Sequence, residues 1–278
     1  MTKPLKLAAA TATATAALSL FTTACQADEF TYSGENDHVG RILYYERTNQ
    51  DGSLAERITV YRASTTELEV YKEAALCRNA ALVTAELDLD TLSASRLTGG
   101  RLLPDAEVME FAFLERNEAG DQMDMVVRLP DMEIRNEFPI ETPNWHLFDF
   151  DLASLTAITP YLNDPTAEFG FGMALLWADP TAADPLVWMG DVTASPAGLE
   201  DGQYRYVLAG TALNGERSTG AAGELRLDAT GGHITHAAFP APNHPGYTDF
   251  ELNLLRVSDG GAAEWDALLR AHWEGCDG

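Results

Sequence analysis

The stretch PNWHLFDFDLASL, from Pro143 to Leu155, places a histidine and two aspartates close together, a composition that suits acid–base chemistry. A glycosidase needs two carboxylates about 5 to 10 Å apart across a cleft, one of them with a raised pKa. Asp149 and Asp151 are only two residues apart, where the apolar spacing changes from strand-like to helical. An aspartate there can accept hydrogen bonds from the free N–H groups of a first helical turn. We therefore predict that one of the two aspartates caps a short helix, and a catalytic carboxylate is the less favoured interpretation.

Other patterns for catalysis or metal binding are weak. His233 and His236 form the closest histidine pair, but the strand-like pattern HITHAAF sends side chains three residues apart to opposite faces. Glu86, Asp88 and Asp90 alternate with leucines, so they share one solvated strand face. The sequence has no GxSxG, SxxK or HExxH motif and no phosphate-binding glycine loop. We predict no catalytic residue, no metal site and no cofactor.

The N-terminal segment has the order of a bacterial secretory signal. Lys3 and Lys6 precede a weakly apolar run over residues 7–21, which ends in small residues directly before Cys25. The run is shorter than the about 20 apolar residues of a transmembrane helix. Small residues before a cysteine resemble a lipobox, and ordinary cleavage nearby is the alternative. We predict a cleaved signal peptide over residues 1–24, lipidation of Cys25, and a periplasmic or outer-membrane-anchored lipoprotein.

The charge of the chain excludes one class of partner. The formal net charge is −25, and loss of Lys3 and Lys6 with the signal makes it −25 − 2 = −27. Such a surface repels nucleic acids and anionic lipid headgroups, because both are polyanions. We predict no nucleic-acid partner, and contact with a membrane only through the lipid anchor at Cys25.

The cysteines predict a disulfide. Cys77 and Cys276 are the only two left once Cys25 is lipidated or removed, and an oxidising compartment favours their pairing. In the segment before Cys276, Trp265 and Leu269 recur at helical spacing, and Cys276 is in phase with them. The helix face that docks on the rest of the protein therefore also presents the thiol. We expect the two Cα atoms to lie within about 7 Å.

Two β-rich runs flank the opening stretch. Apolar and polar residues alternate over 40–148 and again over 168–257, with Gly, Pro and Asp at the turns, which is typical of antiparallel meanders. Helical spacing predicts a short helix over 150–162 and an amphipathic helix over 259–275. No long linker separates the runs. We predict a flexible linker over 25–37 and a single β-rich domain over 38–278.

The predicted fold class is all-β, mainly antiparallel: a strongly curved sheet or open barrel with a short central helix and an amphipathic C-terminal helix. A two-sheet β-sandwich is the alternative. A curved sheet has a concave face on which apolar side chains collect. The candidate ligand-lining residues are Met109, Phe111, Phe113, Met123, Met125 and Trp145.

The order GDVTASPAGLEDGQYRYVLAG followed by GELRLDATGGHI, within residues 190–232, resembles uncharacterised Gram-negative envelope proteins with a curved antiparallel sheet. The β run, helix and lipoprotein-like start are more distantly similar to lipoprotein carriers, whose half-barrels hold acyl chains. The chain is longer than those carriers and has two β runs. The resemblance implies an envelope location and carries no site residues over.

These observations predict an exported cell-envelope protein, and they favour a binding protein over an enzyme. The first hypothesis is non-enzymatic binding of a lipid or other apolar small molecule in the curved sheet. The alternative is a structural or assembly factor that acts through contacts with an envelope protein partner. A hydrolase with dispersed carboxylates comes third. The volume inside the sheet discriminates between the first two: a cavity of several hundred Å³ lined by these Met and Phe residues supports binding inside the sheet, whereas a packed interior removes that hypothesis.

Overall fold

The computed structural model describes residues 29–177 and 185–276, whose strands form one open sheet of 15 strands. The strands are β1 Ile42–Thr48, β2 Glu56–Arg62, β3 Glu67–Glu73, β4 Ala80–Asp88, β5 Ser93–Leu102, β6 Val108–Arg116, β7 Gln122–Leu129, β8 Met132–Pro139, β9 Trp145–Leu147, β10 Phe169–Leu176, β11 Leu186–Glu200, β12 Gln203–Ala209, β13 Gly223–Asp228, β14 Ile234–Phe239 and β15 Phe250–Ser258. The helices are α1 Ala153–Ile158 and α2 Gly261–Ala271.

The strand order joins two meanders at their ends. One edge of the sheet is β8, and the order runs back through β7 to β1, then to β15, and on through β14 to β9 at the other edge. Every pair of neighbours is antiparallel except β9 and β10. The pairing of β1 with β15 is the long-range contact that makes one sheet from the first and last strands of the chain.

The predicted fold class is confirmed. Half of the structure is strand and 13% is helical, and the sheet is open rather than closed. The alternating β runs form this sheet because alternation gives each strand one apolar face to bury. Since all 15 strands share a single sheet, the two-sheet sandwich is not the architecture of the described residues.

The two faces of the sheet carry two separate cores. On the concave face, paired residues from β3 to β7 form a buried row of Leu68, Ala85, Leu97, Leu114 and Met125. These belong to the main hydrophobic cluster. On the convex face, a smaller cluster packs beneath α2. Strand alternation produces both, because neighbouring residues face opposite sides.

The segment between the two meanders fills the concave side. It consists of a 3-10 turn at Phe148–Phe150, helix α1, and a second 3-10 turn at Thr159–Tyr161. The regular α-helix is therefore shorter than the predicted 150–162. The following side chains of this segment, and of β9 directly before it, are at most 2% exposed: Trp145, Phe148, Phe150, Leu152, Leu155, Ile158 and Tyr161. The protein's own chain thus occupies most of the space that the curved sheet encloses.

Helix α2 docks on the convex face through the apolar stripe seen in the sequence. Trp265 and Leu269 are buried, and the ring of Trp265 stacks on Tyr61 with centroids 5.2 Å apart. The regular helix ends at Ala271, so it is shorter than the predicted 259–275. The apolar stripe of α2 therefore packs on the surface of the sheet, as the sequence predicted.

Cys77 and Cys276 form a disulfide in the structure. Their Cα atoms are 5.5 Å apart and their sulfur atoms 2.03 Å apart, which confirms the predicted distance. His272 adds contacts beside it, because its backbone oxygen accepts the Cys77 N–H at 3.1 Å and its Nδ1 contacts the Tyr71 hydroxyl at 2.6 Å. The bond joins positions 199 residues apart and ties the end of the chain to the loop before β4.

The predicted signal peptide and Cys25 lie outside the described residues. Residues 29–37 fall within the predicted linker, but they contact the domain: Phe30 bridges Leu162, and the Asp37 carboxylate lies 3.1 Å from the Arg62 guanidinium, with both side chains buried. Within 29–177 and 185–276, no helix combines the length and apolar character needed to cross a membrane.

Candidate functional site

A buried ionic cluster lies where the central segment meets the concave face. The Asp151 side chain is fully buried, and its Oδ1 accepts hydrogen bonds from Arg47 Nη1 at 3.2 Å and from Asn243 Nδ2 at 2.7 Å. Its Oδ2 lies 2.7 Å from Lys72 Nζ. Burial alone would raise the pKa of Asp151, but Lys72 and Arg47 hold it at about 2. Asp151 is therefore an ionised anchor between β1, β3 and the central segment.

A second carboxylate completes this cluster. Asp149 Oδ1 lies 3.0 Å from His244 Nδ1, and the Asp149 backbone oxygen accepts a hydrogen bond from Lys72 Nζ. Burial opposes ionisation of Asp149, yet His244 and Lys72 lower its pKa. Burial likewise opposes the charge of Lys72, but Asp151 and Asp149 raise its pKa. Both carboxylates and the ammonium thus stay charged at neutral pH.

The capping prediction for these aspartates is wrong. The residue that precedes α1 is Leu152, and no side chain caps the helix. Asp151 and Leu152 both have positive φ, 52° and 60°, a conformation that costs non-glycine residues about 1 kcal/mol or more. The contacts of Asp151 with Arg47 and Lys72 offset that cost. The carboxylate is held by partners distant in sequence rather than by its own helix.

The histidine of the opening stretch does not join the two aspartates. His146 is 1% exposed, and its Nε2 donates to Asn144 Oδ1 at 3.0 Å while its Nδ1 accepts from the Ser154 hydroxyl at 2.9 Å. Burial lowers the pKa of His146 to about 3, so it is neutral. Its hydrogen bonds fasten β9 to the start of α1. The structure gives His146 a structural role.

A small cleft opens beside the ionic cluster. It has a volume of about 70 Å³, and Lys72 and Asp149 lie at one side of it. Its apolar wall comes from the concave face of β4 to β7, and Leu176 and Leu186 lie on the opposite side. Gly99 and Ala112 pair across β5 and β6, where a Cβ on Gly99 would lie 3.3 Å from the Ala112 Cβ. Small residues at these two positions keep the cleft open.

The apolar face that lines the cleft continues outward along β6, β7 and β8. The strand registers give three successive rows on the concave face. The rows are Leu114, Met125 and the polar Asn136, then Ala112, Val127 and Ile134, then Leu129 and Met132. Leu114 and Met125 are buried, Asn136 and the second row are half-buried, and Leu129 and Met132 are 42% and 53% exposed. From Met125 to Leu129 this face extends for about 13 Å, at about 3.3 Å per residue.

The structure separates the six predicted lining residues. Met123, Met125 and Trp145 are buried in the main core, whereas Met109, near the start of β6, is exposed. Phe111 and Phe113 are half-buried, and the Arg128 guanidinium lies over the Phe113 ring at 5.0 Å. Two of the six, Phe113 and Met125, line the cleft. Leu114, Leu129 and Met132, which the sequence interpretation missed, belong to the same concave face as Met125.

The two histidines of the closest pair have different surroundings. His233 precedes β14 and is buried, whereas His236 lies in β14 and its Nδ1 contacts Asn253 Oδ1 at 2.9 Å. Among residues 29–177 and 185–276, no group of three or more His, Cys, Asp or Glu side chains is arranged to hold a metal ion.

No protein-family model matches the chain, and no curated protein shows significant similarity to it.

Proposed function

We propose that the chain is an exported, non-enzymatic binding protein of the bacterial cell envelope, and that it holds an apolar chain of a lipid or similar molecule against the concave face of β6 to β8. The observation that carries the proposal is the continuous apolar face. Along β7 it runs without interruption from the buried cleft at Met125 through Val127 to the exposed Leu129, which pairs with Met132 on β8. Exposed apolar side chains arranged in a row favour a binding surface over isolated surface residues.

The space inside the sheet restricts the ligand. The cleft holds about 70 Å³, whereas a pocket for a whole drug-sized molecule has several hundred Å³. The central segment occupies the rest of the concave side. The proposal is therefore a single apolar chain that lies along the open face with one end in the cleft, and it replaces the hypothesis of a hollow sheet.

The state of Asp149 and Asp151 favours binding over hydrolysis at this cleft. A general acid needs a raised pKa and access to substrate. Asp151 has the opposite properties, because its pKa is held at about 2 and its side chain is fully buried. The lowered pKa of Asp149 points the same way.

A charge placed on the exposed row tests the proposal. We expect Leu129→Asp to weaken the binding of parinaric acid, a fluorescent fatty acid, at least about tenfold, because loss of about 1.4 kcal/mol of apolar contact has that effect. Val207→Asp on β12 is the matched control, since Val207 is 47% exposed and Leu129 is 42% exposed. The control should bind as the wild type does.

A second variant tests the cleft itself. Ala112→Leu should fill the space beside Gly99 and reduce binding while the melting temperature stays within a few degrees of the wild type. Equal binding by Leu129→Asp, Ala112→Leu and wild type, or no saturable binding by wild type, would contradict the proposal. Native mass spectrometry of protein purified from its own envelope should also show an apolar molecule bound.

The filled interior favours one alternative, a structural or assembly factor that acts through an envelope protein partner. A sheet filled by its own chain has no need of a ligand for stability. In that case the exposed row on β6 to β8 contacts a protein. The native protein would then carry no lipid, and Leu129→Asp would abolish recovery of one specific partner after crosslinking in cells.

A further inference from the structure

The outer edge of β8 carries backbone groups that do not bond to β7. β8 is the last strand at one edge of the sheet, and β7 is its neighbour on the inner side. The Ile140 N–H donates to the Asp121 oxygen at 2.8 Å, one residue beyond the ladder of β7 and β8. In an antiparallel pair, residues that exchange hydrogen bonds alternate with residues whose backbone groups point away. The even-numbered residues of β8 therefore bond to β7, whereas Glu133, Arg135 and Glu137 point outward.

The first half of this edge is the part that can accept another strand. Pro139 has no N–H, and the Glu137 N–H already donates to Asn136 Oδ1 at 2.7 Å. The outward N–H and C=O groups of Glu133 and Arg135 remain, and within the described part of the chain no hydrogen bond to them is seen. A row of unpaired backbone groups at a sheet edge is a template for pairing with another chain.

The side chains of this edge have opposite charges at the two free positions. Glu133 and Arg135 lie on the convex face, and their side chains are 43% and 68% exposed. When two copies of β8 lie antiparallel with Ile134 at a two-fold axis, each Glu133 lies opposite Arg135 of the second copy. Opposite charges across a strand pair are stabilising, and like charges are destabilising. A shift of one residue in either direction would place Glu133 opposite Glu133, or Arg135 opposite Arg135.

We infer that a second copy of this chain pairs with the edge of β8, so that the two β8 strands form an antiparallel ladder with Ile134 at the two-fold axis. In this register Glu133 and Arg135 exchange backbone hydrogen bonds with Arg135 and Glu133 of the second copy. The contact uses the same surface on both copies, as a two-fold interface requires. The inference goes beyond the proposed function, because the pairing needs no ligand.

The pairing joins the apolar faces of the two copies. Met132 and Ile134 lie on the concave face, and Ile134 of one copy lies opposite Ile134 of the other. The concave faces of both copies therefore meet at the axis and form one wider surface, which begins at the exposed Leu129 and Met132 of each copy.

Repulsion between the two acidic chains keeps the pairing weak. Each chain has a net charge of −25, but at an ionic strength of 0.15 M charges farther apart than about 8 Å are largely screened. The contacts at the edge therefore count most. At the ends of the ladder, Glu137 of one copy faces Asp131 of the other, and both are exposed to the same screening. The interface is small, so we expect a dissociation constant on the order of 10 to 100 µM.

Disulfide crosslinking of the full chain in the cell envelope tests the register. Under mild oxidation, Ile134→Cys should give a band at twice the mass of the chain on a non-reducing gel, because the two positions face each other at the axis. Val127→Cys is the matched control, since Val127 is half-buried in the same row on β7. Two copies of Val127 lie three strand spacings apart, about 14 Å, which is too far for a disulfide. Wild type gives the background from the native cysteines.

Exchange of the two charges tests the recognition. In the Ile134→Cys chain, Arg135→Glu and Glu133→Arg should each reduce the crosslinked fraction at least about fivefold, because each places like charges opposite each other. The double variant Glu133→Arg with Arg135→Glu should restore it, since the opposite pairs form again with the signs exchanged. The single variants change the net charge in opposite directions, so an effect of net charge alone would weaken the pairing in Arg135→Glu and strengthen it in Glu133→Arg. Far-ultraviolet circular dichroism shows that each variant keeps its fold.

The inference is overturned if Ile134→Cys crosslinks no more than wild type, if Val127→Cys crosslinks equally well, or if the double charge exchange does not restore the crosslink. A crosslinked band at a mass other than twice that of the chain would also overturn it. Binding of parinaric acid is an independent readout, because Leu129 lies on β7, outside the ladder between the copies. Loss of the crosslink therefore leaves the proposal for the apolar face standing, and Leu129→Asp should leave the crosslink unchanged.

Discussion

At the scale of single residues, Asp151 shows how partners distant in sequence determine what a side chain does. Its carboxylate contacts Arg47 on β1, Lys72 on β3 and Asn243 after β14. Arg47 lies two residues after the buried Tyr45 on β1, and Lys72 lies two residues after the buried Val70 on β3. Because side chains alternate along a strand, both cations face the same side as these buried residues. An inward-facing cation needs a buried carboxylate, because burying an unpaired charge is costly. The cations at inward-facing positions could therefore be read from the sequence of β1 and β3, but the sequence did not identify Asp151 as their partner.

Asp151→Asn should lower the free energy of unfolding by about 3 kcal/mol, because it leaves Arg47 and Lys72 buried with one fewer negative charge. Urea unfolding at pH 7 measures the loss. Asp266→Asn, on the exposed face of α2, is the control and should change stability by less than about 0.5 kcal/mol. A loss below about 1 kcal/mol in Asp151→Asn would contradict the role of the ionic cluster.

The same carboxylate predicts an acid limb in the stability of the protein. Its pKa is lowered from 3.8 when unfolded to about 2 when folded, so its contribution is present above pH 3.8 and is lost as pH falls toward 2. The expected contribution is about 2 kcal/mol. Unfolding measured from pH 6 to pH 2 should show a steeper decline for the wild type than for Asp151→Asn. Parallel curves would show that Asp151 is not the titrating group.

At the scale of elements, both helices were predicted, but the ends of α1 were not. Trp265 and Leu269 recur along the last helix, and that stripe packs on the convex face of the sheet. Helix α1 is short and is buried on nearly every side, so its apolar spacing indicates a helix without marking where it begins and ends. The ends of α1 are set by the positive φ of Asp151 and Leu152 and by the 3-10 turns around them. The positive φ values and the 3-10 turns depend on the residues of the sheet that pack around this segment.

Removal of the disulfide tests how α2 is held. The double variant Cys77→Ser with Cys276→Ser should lose about 3 to 5 kcal/mol of stability, since the bond closes a loop of 199 residues and so restricts the unfolded chain. Urea unfolding measures the loss, and the wild type under strong reductant should match the double variant. Two free thiols per chain in native protein analysed by mass spectrometry under denaturing conditions would contradict the disulfide.

At the scale of the whole molecule, the pairing of β1 with β15 makes the two meanders one sheet. Asp151 adds a second connection, because its partners belong to both halves of the chain. The central segment lies between the halves and fills the concave side. The open side that remains, along β6 to β8, is where we propose that an apolar chain binds.

The predicted attachment of the whole protein to the envelope also belongs to this scale. If Cys25 is lipidated, the mature chain should partition into detergent, and Cys25→Ala should move it to the soluble fraction. Phase separation of fractionated cells measures the distribution, with Cys276→Ala as a control that keeps the predicted lipobox. A wild-type protein that is already soluble would contradict lipidation.

The sequence by itself determined the strands, the faces of most of them, the stripe of α2 and the pairing of Cys77 with Cys276. These follow from local periodicity and from counting the cysteines, and each needs only knowledge of neighbours along the chain. The tertiary structure alone decided that β1 pairs with β15, that the central segment fills the sheet, and that Asp149 and Asp151 are buried in an ionic cluster. Those outcomes depend on contacts between residues that are about 100 or more positions apart in the sequence, such as Arg47 and Asp151. Local pattern cannot supply them, because the energy of a buried charge is set by which groups the fold brings beside it.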